Sequence, residues 1–262
     1  MTTSADRPPS PGLLRWARLT TWIGIVLGLL ALLAMLLAGP AHRFGLLGLH
    51  AAFGMLGIGA KGGVAAVLVG LIAIVLALIA RSRRLCLYSA FGLLLGVLAF
   101  APPWWFERKA DALPDIHDIS TDTADPPPYQ MLLPQRASSP NSAIYGGPKV
   151  ATKQHAGYPD IQPLHFDAAP AIVFDAALQT AKAMGWAIAA QEPANGRIEA
   201  TATTFWFGFK DDVVIRVSAD TGGTRLDIRS ESRVGSSDVG ANAARIRAFD
   251  KKLKSRLGKR LS

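Results

Sequence analysis

The feature that most limits what this chain can fold into is the crowding of apolar residues between Trp16 and Ala101, where charges are few. A helix that crosses a bilayer needs about 20 apolar residues at about 1.5 Å rise each. Ala17 to Gly39 meets that need, with Pro40 just beyond, and Gly62 to Ala80 meets it again. Leu85 to Ala101 is shorter but uncharged, and Pro102, Pro103, Trp104 and Trp105 follow it. Paired tryptophans at a helix end suit the aromatic belt of a membrane interface. Phe44 to Ala60 is apolar too, but it is dense in glycine and carries His50. Glycine costs about 1 kcal/mol per helix position relative to alanine. This stretch therefore reads as interfacial or re-entrant rather than as a fourth span.

Basic residues orient the spans, because Lys and Arg gather on the cytoplasmic side of short loops. Arg7, Arg15 and Arg18 precede the first span, and Arg81, Arg83 and Arg84 separate the last two. Three spans put both clusters on one side, and four would split them. The expectation is three spans with a cytoplasmic N-terminus, in a bacterial inner membrane, with everything after Ala101 in the periplasm. A cleaved signal peptide is the rival for the first span. Its apolar core exceeds the roughly 7–15 residues of a signal sequence, so a retained anchor is expected. The single cysteine, Cys86, lies inside an apolar run, so no intrachain disulfide exists to report on redox compartment.

Residues 1–103 are thus expected to form a membrane region, 104–169 a linker and 170–262 a soluble domain. Twelve of the seventeen prolines fall between Pro102 and Pro170, which argues against a continuous helix or sheet there. Ile116, Ile119, Tyr129, Met131, Leu132 and Leu133 are nevertheless too apolar for a free tether. Part of this segment is expected to pack along the soluble domain.

From Pro170 the pattern becomes regular. Phe174, Ala177, Leu178 and Ala181 recur at helical spacing, and Gly185 suits a stop. Trp186 to Gln191 is a short strand candidate. Ile198, Ala200 and Ala202 alternate with polar neighbours, as do Val213, Ile215 and Val217, and Leu226 and Ile228. Period two with one polar face predicts an antiparallel sheet covered on one side, with Asp220 to Gly223 as a hairpin turn. Val239, Ala243, Ile246, Phe249, Leu253 and Leu257 fall on one helical face, with Ser237 or Asp238 as its N-cap. The predicted class is membrane-anchored α+β: three transmembrane helices, then a small antiparallel sheet of about four strands with helices on one face.

The stretches IHDISTDT, GRIEATATTFWFGFKDDVVIRV and RSESRVGSSDVGANAARIRAF resemble the bacterial family catalogued as domain of unknown function 1499, from about Asp115 to Leu257. The hydrophobic N-terminal half is similar to that of membrane-anchored members. The resemblance implies no activity, substrate, cofactor or catalytic residue.

Several groups of residues are candidates for chemistry, each with a plainer reading beside it. His117, Asp118, Ser120, Thr121, Asp122 and Asp125 offer oxygen ligands for a hard cation, or else stabilise turns. Ser232 to Asp238 runs into a helix start, where Arg233, Ser236 and Ser237 suit an anion; Asp238 would instead cap the helix and repel one. Phe205, Trp206, Phe207 and Phe209 suit a ligand wall, an interface-dipping tip or a bent core strand. Asp211 and Asp212, with Arg216, Arg229, Glu231 and Arg233, suit either acid–base work or cross-strand ion pairs. The last helix is rich in Lys and Arg, including Lys251, Lys252, Lys254, Arg256, Lys259 and Arg260. Such a face serves anionic lipid or simply solvation and the helix C-terminus.

No cysteine follows Cys86 and no histidine follows His165, which removes the usual Cys–His pairings from the soluble half. The expected function is a non-enzymatic, membrane-tethered envelope module that binds a ligand, a lipid or a partner protein. Membrane lipids and other envelope proteins are the expected partners, with neither nucleic acid nor a cofactor or metal. The alternatives are a membrane-anchored hydrolase or transferase using Asp residues of the soluble domain, and a subunit of a transport or assembly complex.

Overall fold

The computed structural model describes residues 9–261, with side chains as far as residue 258. Arg7 and the side chains of Lys259 and Arg260 lie outside the described residues. The chain divides into two compact units, Met1–Arg108 with Trp206–Gly208, and Lys109–Phe205 with Phe209–Ser262.

The first unit is a bundle of α1 (Pro11–Arg43), α2 (Leu49–Ile79) and α3 (Arg83–Asp111). All three are long and apolar enough to cross a membrane. Ser10 opens α1, its Oγ accepting the Leu13 N–H at 3.3 Å. The bundle packs on small residues. A methyl added at Gly28 would lie 2.8 Å from Leu95 Cβ, and one at Gly63 would lie 2.8 Å from the Gly96 carbonyl oxygen. Lipid gives helices no hydrophobic reason to associate, so close backbone approach and interhelical hydrogen bonds do that work. Thr21 and Ser89 supply such a bond, buried, with hydroxyls 2.8 Å apart.

Residues 49–60 are not a separate segment; they form the first turns of α2. Their glycine content is tolerated partly because Gly59 lies against Ala31 and Met35, where a Cβ would come within 2.9 Å of the Met35 side chain. Helix α3 likewise runs through Pro102 and Pro103 to Asp111. Proline forfeits an amide donor, but neighbouring helices and local adjustment support such breaks within membrane helices.

The second unit is an antiparallel sheet with helices. It contains β1 (Asp118–Ser120), α4 (Leu133–Arg136), α5 (Gly147–Gly157), β2 (Leu164–Phe166) and α6 (Pro170–Ala183). Then come β3 (Ala187–Glu192), β4 (Arg197–Thr203), β5 (Lys210–Asp220), β6 (Gly223–Ser232) and α7 (Ala241–Leu261). The order is β1-β6-β5-β4-β3, with β2 also pairing β6. The sheet is therefore six-stranded, larger than the four strands predicted. The two extra strands are three-residue pieces from the proline-rich segment. Pieces that short show no alternation to read.

Two turns need glycine. Gly196 sits at φ +60°, and a Cβ there would collide with the Val217 carbonyl oxygen. Gly222, at φ +86°, completes the two-residue β5–β6 turn. On one sheet face Ile198, Val213, Ile215, Leu226 and Ile228 pack against Phe174, Phe249 and Leu253 in a single core. Helix α7 starts at Ala241, two residues after Val239, because Val239 and Gly240 hold left-handed φ of +50° and +80°.

Candidate functional site

The other face of the sheet is polar, and the structure corrects the expectation that solvent covers it. Glu199, Asp212 and Glu231 are fully buried, and Asp227 and Arg229 nearly so. The cover is a strap, residues 121–145, from the segment read as linker.

Several contacts hold the strap. Glu199 on β4 accepts the backbone N–H groups of Gln130 and Leu132 at 2.9 and 3.0 Å. Arg197 donates to the Pro128 carbonyl at 2.6 Å. The Tyr129 hydroxyl donates to the Asp212 carbonyl at 2.9 Å, and Tyr129 and Leu132 pack on Val214. The guanidinium groups of Arg229 and Arg136 lie over the Tyr129 ring, 4.8 and 5.1 Å from its centroid. Burial raises the Tyr129 pKa well above its usual value, so its hydroxyl stays a donor.

One ion-pair cluster lies buried beneath the strap, and a second, partly exposed, ties the start of the strap to the sheet. In the first, Asp212 takes two 2.8 Å hydrogen bonds from Arg233, one of 2.8 Å from Arg136 and one of 2.7 Å from Thr201. Arg229 grips Asp118 of β1 bidentately at 2.9 and 2.8 Å and reaches Glu231 at 3.1 Å. In the second, Arg216 bonds Asp125, Asp122 and Asp227, while Arg225 bonds Asp122 and Asp227. Asp122 also accepts the N–H groups of Ala124 and Asp125 at 3.0 and 2.9 Å.

Asp212 on β5 and Glu231 on β6 differ sharply. Burial pulls the Asp212 pKa upward, but hydrogen bonds from Arg233, Thr201 and Arg136 outweigh it and leave the pKa below the usual value. For Glu231, burial and the Asp118 charge push the pKa up to about 8 against the pull of Arg229 and Arg136. Glu231 Oε1 lies 2.8 Å from Arg136 Nη2, yet it receives no properly aimed hydrogen bond. A misaligned pair stabilises a buried anion poorly.

The residues singled out from sequence separate as follows. Asp212 and Arg233 meet in the first cluster, and Arg216 anchors the second. Asp211 and Asp212 are adjacent on a strand and so face opposite sides. Asp211 is bonded to Arg245 of α7 on the helical face. Ser236 is exposed, and its carbonyl lies 3.2 Å from His117 Nδ1. The Ser237 hydroxyl accepts the Val239 N–H at 3.2 Å. Asp238 fills the start of α7, accepting the N–H groups of Gly240 and Asn242 at 2.8 and 2.7 Å. Burial raises its pKa despite those bonds. Trp206 groups with the helical unit. Among the described residues, no three His, Cys, Asp or Glu side chains gather in a metal-holding group.

Residues that sequence reasoning missed are Arg136, Glu199 and Gln154. Gln154 clamps edge strand β1, accepting the Ser120 N–H at 3.0 Å and donating to the Ser120 carbonyl at 2.6 Å. The apolar Tyr129 and Leu132 within the proline-rich stretch were the available signal.

Fold and site together define a chain of three apolar, membrane-length helices joined to an α+β domain whose polar sheet face is largely covered by its own strap. Residues 118–253 match the family described as Protein of unknown function (DUF1499). That is just over half of the 262 residues, and the chain belongs to this family. The match runs from β1 through most of α7, so the strap lies inside the family's domain. Neither a curated protein nor a solved structure matches the chain.

Proposed function

We propose that this chain is a non-enzymatic, membrane-tethered envelope module that binds a lipid, ligand or partner protein. In this reading it sits in the bacterial inner membrane, with a cytoplasmic N-terminus and its α+β domain in the periplasm. One observation carries the non-catalytic part. Asp118 and Asp212, two of the acids singled out from sequence, are each engaged by arginine, Asp118 by Arg229 and Asp212 by Arg233 and Arg136, and they are buried. A general base must reach the proton that it abstracts, and these cannot do so while the strap is in place. The ion pairs then serve to fix the strap to the sheet.

The test is hydrolysis of p-nitrophenyl phosphate and p-nitrophenyl butyrate by the full chain in neutral detergent. The expected rate equals that of the D118N and D212N variants. Turnover that either substitution abolishes, with the fold intact by circular dichroism, would replace this reading with the membrane-anchored hydrolase.

A further inference from the structure

Helices α6 and α7 leave an open groove of about 740 Å³ between them on the surface of the α+β unit. Its lining includes Ala183 of α6 and Ala248, Lys251, Lys252, Ser255 and Arg256 of α7. On α7 these positions recur at three- and four-residue steps, so they share one helical face. Ala183 and Ala248 are both exposed and give the groove an apolar floor. Three cations and the Ser255 hydroxyl lie beside them, buried Thr180 is the remaining lining residue, and no carboxylate lines the groove.

The ion-pair pattern along α7 singles out this face. Arg245 is paired with Asp211, Arg247 with Asp160 and Lys254 with Asp250. Lys251, Lys252 and Arg256 have no carboxylate within 4 Å among the described residues. Of the helix's six described cations, the three left without an acid are the three on the groove. A solvated helix face would not need to sort its charges in this way. Concentrated positive charge beside an apolar floor complements a molecule with an anionic head and a hydrocarbon body.

We infer that this groove binds the headgroup of an anionic phospholipid, with the phosphate on Lys251, Lys252 and Arg256 and the first acyl carbons on Ala183 and Ala248. The inference rests on the binding-module reading and names its ligand class. A lipid source is favoured over free phosphate because an inorganic ion gains nothing from the alanine floor. The same chain also carries three helices long and apolar enough to enter a bilayer.

The experiment uses the full chain in zwitterionic nanodiscs, titrated with dihexanoyl phosphatidylglycerol, dihexanoyl phosphatidylcholine or inorganic phosphate. Binding is read from amide chemical shifts of α6 and α7. The expected result is saturable phosphatidylglycerol binding, at least about tenfold tighter than either control. It should weaken at least about tenfold both in K251E/K252E/R256E and in A248W. The second variant fills the floor but keeps every charge.

Equal affinity for inorganic phosphate would overturn the lipid assignment. Loss in the charge variant but not in A248W would reduce the site to diffuse surface attraction and overturn the groove. Binding that neither variant disturbs, or no binding at all, would also overturn it. None of these outcomes bears on turnover, so failure here is distinguishable from failure of the non-enzymatic reading. Unchanged thermal unfolding of both variants establishes that the domain remains folded.

Discussion

Glu231 and Asp212 stand opposite each other on neighbouring strands, yet protons act on them in opposite senses. The Asp212 pKa is lowered in the fold. Its contribution to stability is present above the unfolded carboxyl value and is lost as pH falls through the lower, folded one. The Glu231 pKa is raised from 4.5 to about 8. The folded state therefore holds a proton that the unfolded state releases, and stability falls as pH rises across that window. Asp238, also raised, acts in the same sense. Thermal unfolding of the α+β unit in the detergent-solubilised chain should show a midpoint that declines from pH 5 to pH 8. In E231Q the decline should be visibly shallower, and an unchanged slope would remove Glu231 from the account. Removing Arg229 acts differently, because it strands the buried Asp118 carboxylate that it holds bidentately. R229M should cost about 3–5 kcal/mol, the usual penalty for breaking a buried pair from one side, measured by urea unfolding. At this scale the sequence disclosed residue types but not partners. Asp211 and Asp212 read as a pair, yet strand alternation sends one to Arg245 and the other to Arg233.

Among the elements, the strap was the hardest to foresee and the helices were the easiest. Period-two and helical patterns exposed β3 to β6, α6 and α7, because those elements bury one face in a common core. The strap has neither period. Its prolines exclude regular pairing, and it is held by side chains at irregular intervals, Tyr129, Leu132 and Arg136 among them. Such a segment stays closed only while its ties hold. R136M removes the bond to Asp212 and the close charge contact with Glu231 and should speed proteolytic nicking between residues 121 and 145. Cleavage elsewhere in the α+β unit should change far less. Equal acceleration throughout would mean global unfolding rather than strap release. The apolar helices offer a second element-scale test. A leucine at Gly96 would press on the Gly63 carbonyl and the Val67 amide, both within 3 Å of even a Cβ. G96L should loosen the α2–α3 seam and lower the yield of folded chain in detergent. G54L, where nothing lies within 4 Å of an added Cβ, should leave the yield unchanged.

For the whole molecule the count of apolar helices was legible because bilayer thickness imposes a length that no soluble helix needs. The glycine-dense stretch blurred only the start of the second, since propensity counts against glycine and, of these glycines, only Gly59 sits in close helix contact. Orientation is a separate question, and it rests on charge. Arg15 and Arg18 lie in the first turns of α1, and Arg81, Arg83 and Arg84 lie at the α2–α3 junction. If each helix crosses once, these two clusters share a side, and residues after α3 lie opposite. Alkaline phosphatase folds actively only outside the cytoplasm, so fusions report the side directly. Fused after Ser262 it should be active, and fused at Arg83 inactive. The reverse pattern would invert the molecule and place the α+β domain in the cytoplasm, where the candidate ligands differ. Like activity at both positions would mean that α3 does not cross. Exchanging Arg81, Arg83 and Arg84 for Asn should raise activity at position 83, because the bias that holds that loop inside comes from those charges rather than from the apolar helices beside them.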